Sequence, residues 1–512
     1  MKKLITASEK MSKEYCCTLV EIGEVTPIEG SKYLAVTMVE GRNIVVRKDQ
    51  VKEGDKMFYV SNESQLCESF LSKNNMFEDV EKNANAQEVF DKLNDFDAKI
   101  LANAKDTNLD NETKKNNELA ILEEKADYLK SHKGYFNKYG RVRMIKLQKV
   151  LSMGFLFSES EMKIYCPEFK MSDVELHEDF DTVNGELFVQ AYVPPVKEGA
   201  PRASRDKKRN KKLAKFDKMI PGQFSFHYDT NQLNREMYRV NPDDEVFISV
   251  KLHGTSFIDG NIKTNVPKWG GLYSKVFLYL PKFLQFTREE YDNVYSSRTV
   301  IKNQYINQAV TTGFYSKDVW ATYADILKPY IPEGMTIYGE ICGYVDGSDK
   351  MIQKNYDYGC KIGENFLMIY RITCQQPDGT KYEYNVDEVY NVTRNLIGEM
   401  KYKGDENWKK IHPIDILYHG TLKELYPDIN TTFHWHENVL EALKKEEKFG
   451  MEKNEPMCKN KVAREGFVLR IKDDPINEAF KLKCLKFLTA ETAQMDAGET
   501  SDIEMMEKYG DN

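Results

Sequence analysis

Apolar runs in this chain are short and soon interrupted. The most apolar stretch, Val276 to Phe286, is broken by Pro281 and Lys282. It is too short to span a bilayer, which takes about 20 apolar residues in a helix. A core must therefore be assembled from many short elements. The chain has 512 residues, whereas a single core rarely serves beyond about 250–300. Two or three domains are expected. Hydrophobic residues make up 41% of the chain, which excludes wholesale disorder.

The formal net charge is -8. That excludes an evenly basic surface that coats nucleic acid, but not a local basic groove. The nine Cys are scattered, and no CxxC pair exists. Neither a disulfide framework nor a Cys-rich zinc site is expected, and the usage fits a reducing compartment. The N-terminal MKKLITASEK has no apolar segment after its basic start, so it does not read as a signal peptide. A soluble, cytoplasmic protein is the expectation.

The N-terminal part reads as β. Cys17 to Ile22, Leu34 to Val39, Asn43 to Val46 and Lys56 to Val60 are short β-branched or aromatic runs. Turn signals separate them, as in a small barrel. Arg141 to Phe157 looks like its closing strands. Between these pieces, Val89, Leu93, Phe96 and Ile100 fall at helical spacing, as do Leu119, Leu122, Ala126 and Leu129. This predicts a helical hairpin inserted between 78 and 135, read first as a solvated decoration, with a partner-binding element as the alternative.

Lys197 to Lys218 is the strongest charge shift, with Arg202, Arg205, Lys207, Lys208, Arg209 and Lys211 among its cations. It reads as a linker, either a solvated tether or a phosphate-contacting arm. From Gln223 to Leu488 strands and helices mix without strict βαβ alternation, which indicates α+β. After Thr489 the chain turns acidic, as a peripheral helix or a frayed end. The expected domains are a barrel over 1–190, a basic linker over 191–222, an α+β module over 223–490 and an acidic tail over 491–512.

The chemistry-bearing residues lie in the module. An apolar strand, Val246 to Val250, delivers Lys251, and Gly254 then permits a tight turn. A lysine at the end of such a strand is a candidate nucleophile. Downstream come Arg298 after Tyr295-Ser296-Ser297, and Glu340 in Tyr338-Gly339-Glu340-Ile341-Cys342-Gly343. Tyr370 follows in an apolar strand, and Glu465 stands at the head of Gly466-Phe467-Val468-Leu469-Arg470. Lys481 and Lys483 alternate, so both face one side of a strand. Taken singly, each has a plainer reading: a turn carboxylate, a core aromatic, an exposed strand face. His434-Trp435-His436 would put two imidazoles on one side of a strand, but no third metal ligand is near, so they read as structural.

The ordered set resembles the covalent nucleotidyltransferases, and KLHGTSF is closest to RNA ligases. Val25 to Ser31, Asn43 to Val46, Val51 to Asp55 and Phe58 to Val60 resemble an OB-fold domain. That domain precedes the catalytic module in the Deinococcus-type RNA ligases. Two departures stand out. Gln148-Lys149 replaces the usual Arg-Gly, and Val250 replaces the usual Glu before the nucleophile.

The resemblance implies an N-terminal OB-fold barrel with a helical insertion, followed by a mixed α+β covalent nucleotidyltransferase domain of ATP-grasp-like fold. It implies an ATP-dependent RNA ligase that joins 3′-OH and 5′-phosphate ends through a lysyl-AMP and an adenylylated 5′ end, with RNA repair as its setting. Lys251 would form the lysyl-AMP, and Gly254 would shape the turn beside it. Arg298 would contact a phosphate, Glu340 the ribose and Tyr370 the adenine. Glu465 would bind Mg²⁺ or Mn²⁺, and Lys481 and Lys483 would clamp the α-phosphate. The expected partners are RNA ends, in nicked RNA/DNA or RNA duplexes, with no membrane and a monomeric state. The alternatives are a GTP-dependent capping-type guanylyltransferase and a non-catalytic OB-fold RNA-binding protein, the latter suggested by Val250.

Overall fold

The β-branched runs near the N-terminus pair into several small antiparallel sheets. A computed structural model describes residues 3–9, 11–194, 219–227, 230–298, 300–302, 318–376, 379–472, 474 and 476–497. Of the basic linker expected over 191–222, residues 195–218 lie outside the described residues, as does the acidic tail beyond Ala497. The chain divides into two units, Met1–Tyr192 and Val193–Asn512.

In the first unit, a four-stranded sheet has the order Gly154–Phe157, Lys56–Ser61, Cys17–Glu21, Asp179–Phe180. A three-stranded sheet joins Val25–Pro27, Leu34–Val39 and Arg42–Arg47. Phe58, Phe70, Phe157, Phe180 and Phe188 form an aromatic core. Gln148 and Lys149, one of the departures noted above, form the turn of the hairpin Ile145–Leu147/Val150–Ser152. Both have positive φ, 46° and 69°, as a two-residue hairpin turn of this hand requires.

Helices Ala86–Lys105 and Asn111–His132 are joined by a short connector, and Asp110 caps the second by accepting from the Thr113 N–H. The hairpin is largely exposed, in keeping with a solvated decoration. The first helix buries only Val89 and Phe96, and the second buries nothing. Leu119 and Leu122 are exposed.

The second unit is mixed α+β and contains two larger sheets. The five-stranded one has the order Asn231–Gln232, Phe480–Lys483, Gly466–Ile471, Glu245–Lys251, Ile416–Thr421. The other runs Ile301–Lys302, Thr287–Ser296, Thr255–Pro267, Met335–Gly343, Asn365–Gln375, Lys381–Glu383, with Ile411–Pro413 also paired to Asn365–Gln375. Strand Asn365–Gln375 reads as a continuous apolar run because it is buried on both faces. Phe366 and Met368 join the core that holds Val246, Ile248 and Val250. Leu367 and Ile369 join the core that holds Trp320, Tyr323 and Leu396.

His434-Trp435-His436 is not on a strand. His434 caps helix Trp435–Lys444 with φ of 49°, and Trp435 and His436 form its first turn. The period-2 argument for two imidazoles on one side therefore does not apply. Among the described residues, no helix is long and apolar enough to cross a membrane.

Candidate active site

Alternation along strand Glu245–Lys251 sends Val246, Ile248 and Val250 into the core. Val250, where a carboxylate was expected by resemblance, is thus a packing residue. Lys251 ends the strand, and the chain crosses to the second sheet at Thr255. Register aligns Lys251 with Gly466, and Gly466 with Lys483, in one row across three strands. Two residues along, Ser249, Val468 and Lys481 form the next row on the same face. Gly466 has φ of 148°, and a Cβ there would lie 2.0 Å from the Leu482 carbonyl oxygen. Only glycine permits this row to close.

Glu465, just before that glycine, is almost fully buried. Its Oε1 lies 2.9 Å from Lys251 Nζ and 3.8 Å from Lys483 Nζ. Lys483 Nζ is also 3.5 Å from Glu491 Oε2. Burial pushes the Glu465 carboxyl up, but the ammonium groups of Lys251 and Lys483, together with His253, outweigh it and hold the group below the usual range. Glu465 Oε2 is buried and has no hydrogen-bond partner. Such an orphaned oxygen is costly unless something binds it.

The second sheet, and the loop between its strands Met335–Gly343 and Asn365–Gln375, brace the turn after Lys251. The Gly254 N–H donates to Glu340 Oε1 at 3.0 Å. Gln353 Nε2 donates to the Gly254 carbonyl at 2.7 Å, and the His253 N–H donates to Tyr358 Oη at 2.7 Å. A Cβ on Gly254 would lie 2.4 Å from the Ile341 carbonyl oxygen and 2.8 Å from Cys342 Sγ. The glycine of the K-x-x-G pattern is therefore a condition for close approach between the two sheets. His253 packs edge-on against Tyr356 and Phe487, with centroids 4.9 and 5.2 Å away. It is a packed histidine whose Nδ1 stands 3.9 Å from Glu465 Oε2.

Tyr370 sits at an irregularity. Tyr338 pairs with Arg371 and Gly339 with Ile369, so Tyr370 has no opposite residue. A bulge of this kind re-aims a side chain. Its ring stacks on His227 at 5.4 Å and 24°, and its hydroxyl is hydrogen-bonded to His227 Nε2. Burial, followed by the charges of Arg371, Arg298, Arg470 and Lys251, drives the His227 imidazole far below its ordinary range. Arg298 and Lys251 thus share one electrostatic neighbourhood with Tyr370. Arg371 forks onto Glu383, with Nη2 to Oε2 at 2.8 Å. Arg470 is pushed down to about 10, first by burial and then by Arg371.

The structure places Lys251, Glu465 and Lys483 together, with Lys481 in the adjoining row. Gly254 and Glu340 are hydrogen-bonded to one another. Tyr370 and Arg298 belong to a second group centred on His227. His227, Arg371, Arg470, Gln353 and Tyr358 were not anticipated from sequence. Arg470 was within reach, because it ends the run that Glu465 begins; nothing local marks His227. Among the described residues, no cluster of three or more His, Cys, Asp or Glu could hold a metal by itself.

No protein-family model matches the chain, and no curated protein matches it in sequence. Solved structures of Naegleria gruberi RNA ligase share its fold. A lysine-to-alanine mutant without nucleotide gives a TM-score of 0.51 at 16% identity, covering 94% of this chain and 99% of that one. Another lysine mutant, with ATP and Mn, gives 0.51 at 13% identity over 94% and 99%. A lysine-to-methionine mutant with AMP and Mn gives 0.50 at 15% identity over 93% and 98%. At this identity the likeness is one of fold.

Proposed function

We propose that the protein is an ATP-dependent RNA ligase of the Deinococcus type, acting in RNA repair. The observation that carries this reading is the Lys251–Gly466–Lys483 row with the Glu465 carboxylate 2.9 Å from the Lys251 amine. A nucleophilic amine, a second cation and a buried carboxylate at one strand end suit nucleotidyl transfer, which loads charge onto nonbridging phosphate oxygens.

In the first step the deprotonated Lys251 amine attacks the α-phosphorus of ATP. The N–P bond forms as the bond to the pyrophosphate oxygen breaks, and the displaced proton goes to water. Glu465 orients the amine, while Lys481 and Lys483 neutralise the α-phosphate. Glu340 holds the ribose, Tyr370 stacks on adenine and Arg298 meets a phosphate. AMP then passes to a 5′-phosphate, and a 3′-hydroxyl attacks that end and releases AMP. A divalent cation would add charge neutralisation at the phosphates. The orphaned Glu465 Oε2 fits one ligand to such an ion, with phosphate and water oxygens filling the remainder, as is usual for Mg²⁺. The small sheets of the first unit would form an OB-fold that grips RNA.

Incubation with labelled ATP or GTP and Mg²⁺, followed by a denaturing gel, tests the reading. Covalent label from ATP that is lost in Lys251→Ala supports it. Label from GTP alone points to a capping-type guanylyltransferase, and no label from either nucleotide to a binding protein.

A further inference from the structure

The strands Thr255–Pro267 and Thr287–Ser296 form a long hairpin that starts beside the Lys251 turn and stays paired out to Pro267 and Thr287. Its tip is the apolar stretch that stood out in the sequence. There the chain makes short helical turns, Leu272–Val276, Phe277–Tyr279 and Lys282–Leu284. The tip is internally braced. Tyr273 Oη accepts from the Phe286 N–H and donates to the Leu284 carbonyl, both at 2.7 Å. Gln285 Nε2 donates to the Phe277 and Leu280 carbonyls at 3.1 and 3.0 Å. Phe277 is buried beneath.

Its outer surface is apolar and open. Leu272 is 77% exposed, Phe283 76%, Tyr279 67% and Trp269 50%. From Lys268 to Thr287 the cations are Lys268, Lys275 and Lys282, with no Asp or Glu among them; Arg288, next along the strand, is paired with Glu290 at 2.7 Å. In a chain whose net charge is -8, this is a local reversal of sign, and it selects an anionic partner. Exposed ring faces among cations are the composition on which successive bases stack.

We infer that this hairpin tip is a contact surface for a single-stranded stretch of polynucleotide, separate from the nucleotide site. The bracing holds the rings in place before binding, which reduces the ordering cost. The 13-residue strand at about 3.3 Å per residue sets the tip roughly 40 Å from the Lys251 turn. That is about a dozen stacked nucleotides at about 3.4 Å each. The placement of the reacting end rests on the ligase reading; the contact itself does not.

The test titrates the full chain with fluorescently labelled single-stranded RNA of roughly 25 nucleotides, with the tryptophan emission that is lost in Trp269→Phe as a second signal. The variants Tyr279→Ser/Phe283→Ser and Lys275→Glu/Lys282→Glu are compared with wild type, with melting curves as a check on folding. Both should weaken binding about tenfold, and only the charge variant should flatten its salt dependence. ATP-dependent labelling of Lys251 should be unchanged. Weakened RNA binding without any labelling in wild type would leave this inference standing and remove the ligase reading. Unchanged RNA affinity in both variants would overturn the inference. So would loss of binding only to vesicles containing phosphatidylserine, which would assign the tip to a lipid surface. A wild-type dimer lost in both variants, with RNA affinity intact, would overturn it in favour of a second copy.

Discussion

Glu465 Oε1 lies 2.9 Å from Lys251 Nζ, while the other oxygen of the same buried carboxylate has no hydrogen-bond partner. On the function proposed above, one oxygen would position the amine and the other would be left for a ligand. Glu465→Gln keeps the shape and removes the charge. ATP-dependent labelling of Lys251 should fall at least about a hundredfold, in the range seen when a preorganised electrostatic group is removed. Gel labelling checks this, and a rate within a few-fold of wild type would dismiss Glu465 from the chemistry.

Gly254 is a packing requirement. Gly254→Ala would set a methyl group 2.4 Å from the Ile341 carbonyl oxygen. Overpacking of this kind costs about 1–3 kcal/mol. Gly270→Ala is the control, since a Cβ there meets nothing within 4 Å. Denaturant midpoints should drop for the first variant and hold for the second. Equal midpoints would show that the two sheets yield at no cost.

His227 supplies the pH dependence. Its folded-state proton affinity is depressed by burial and by Arg371, Arg298, Arg470 and Lys251. An unfolded histidine titrates near 6.5, so below that pH the unfolded chain takes up the proton that the folded chain refuses. Stability tied to this group is therefore complete above about pH 6.5 and is lost as pH falls toward the depressed value. Between pH 8 and 5.5, wild type should lose more melting temperature than His227→Gln. Parallel losses would show that His227 is not held neutral.

Arg371 and Glu383 form a buried pair, with side chains 5% and 10% exposed. Glu383→Ala strands Arg371 beside Arg470 and should destabilise by about 3–5 kcal/mol. Arg371→Met/Glu383→Leu removes both charges and should recover most of that loss. Thermal melting distinguishes the two, and a double variant no better than the single would assign the effect to packing.

Much of the local structure was legible because it rests on neighbours in the chain. Leu34 to Val39 is a strand in sequence and in structure, since a short β-branched run between turn signals fits a pleat, and the structure buries Ala35, Thr37 and Val39 in alternation. The helical hairpin shows where that logic stops. Leu119 and Leu122 have helical spacing, yet they face solvent, because spacing defines a stripe and not what covers it. The strand placement of His434 to His436 differs for a related reason: His434, in the αL conformation, starts a helix.

The sequence by itself determined the order of the chemical groups: a lysine ending an apolar strand, a glycine after it, and a carboxylate and two lysines far downstream. The tertiary structure alone decided which of them touch. Sheet register sets Lys251, Gly466 and Lys483 in one row, and a single-residue slip would turn each side chain to the opposite face. It also brought the charges of Arg371, Arg298, Arg470 and Lys251 to bear on the buried His227. Repulsion between such charges depends on distance in space, and no spacing along the chain encodes it.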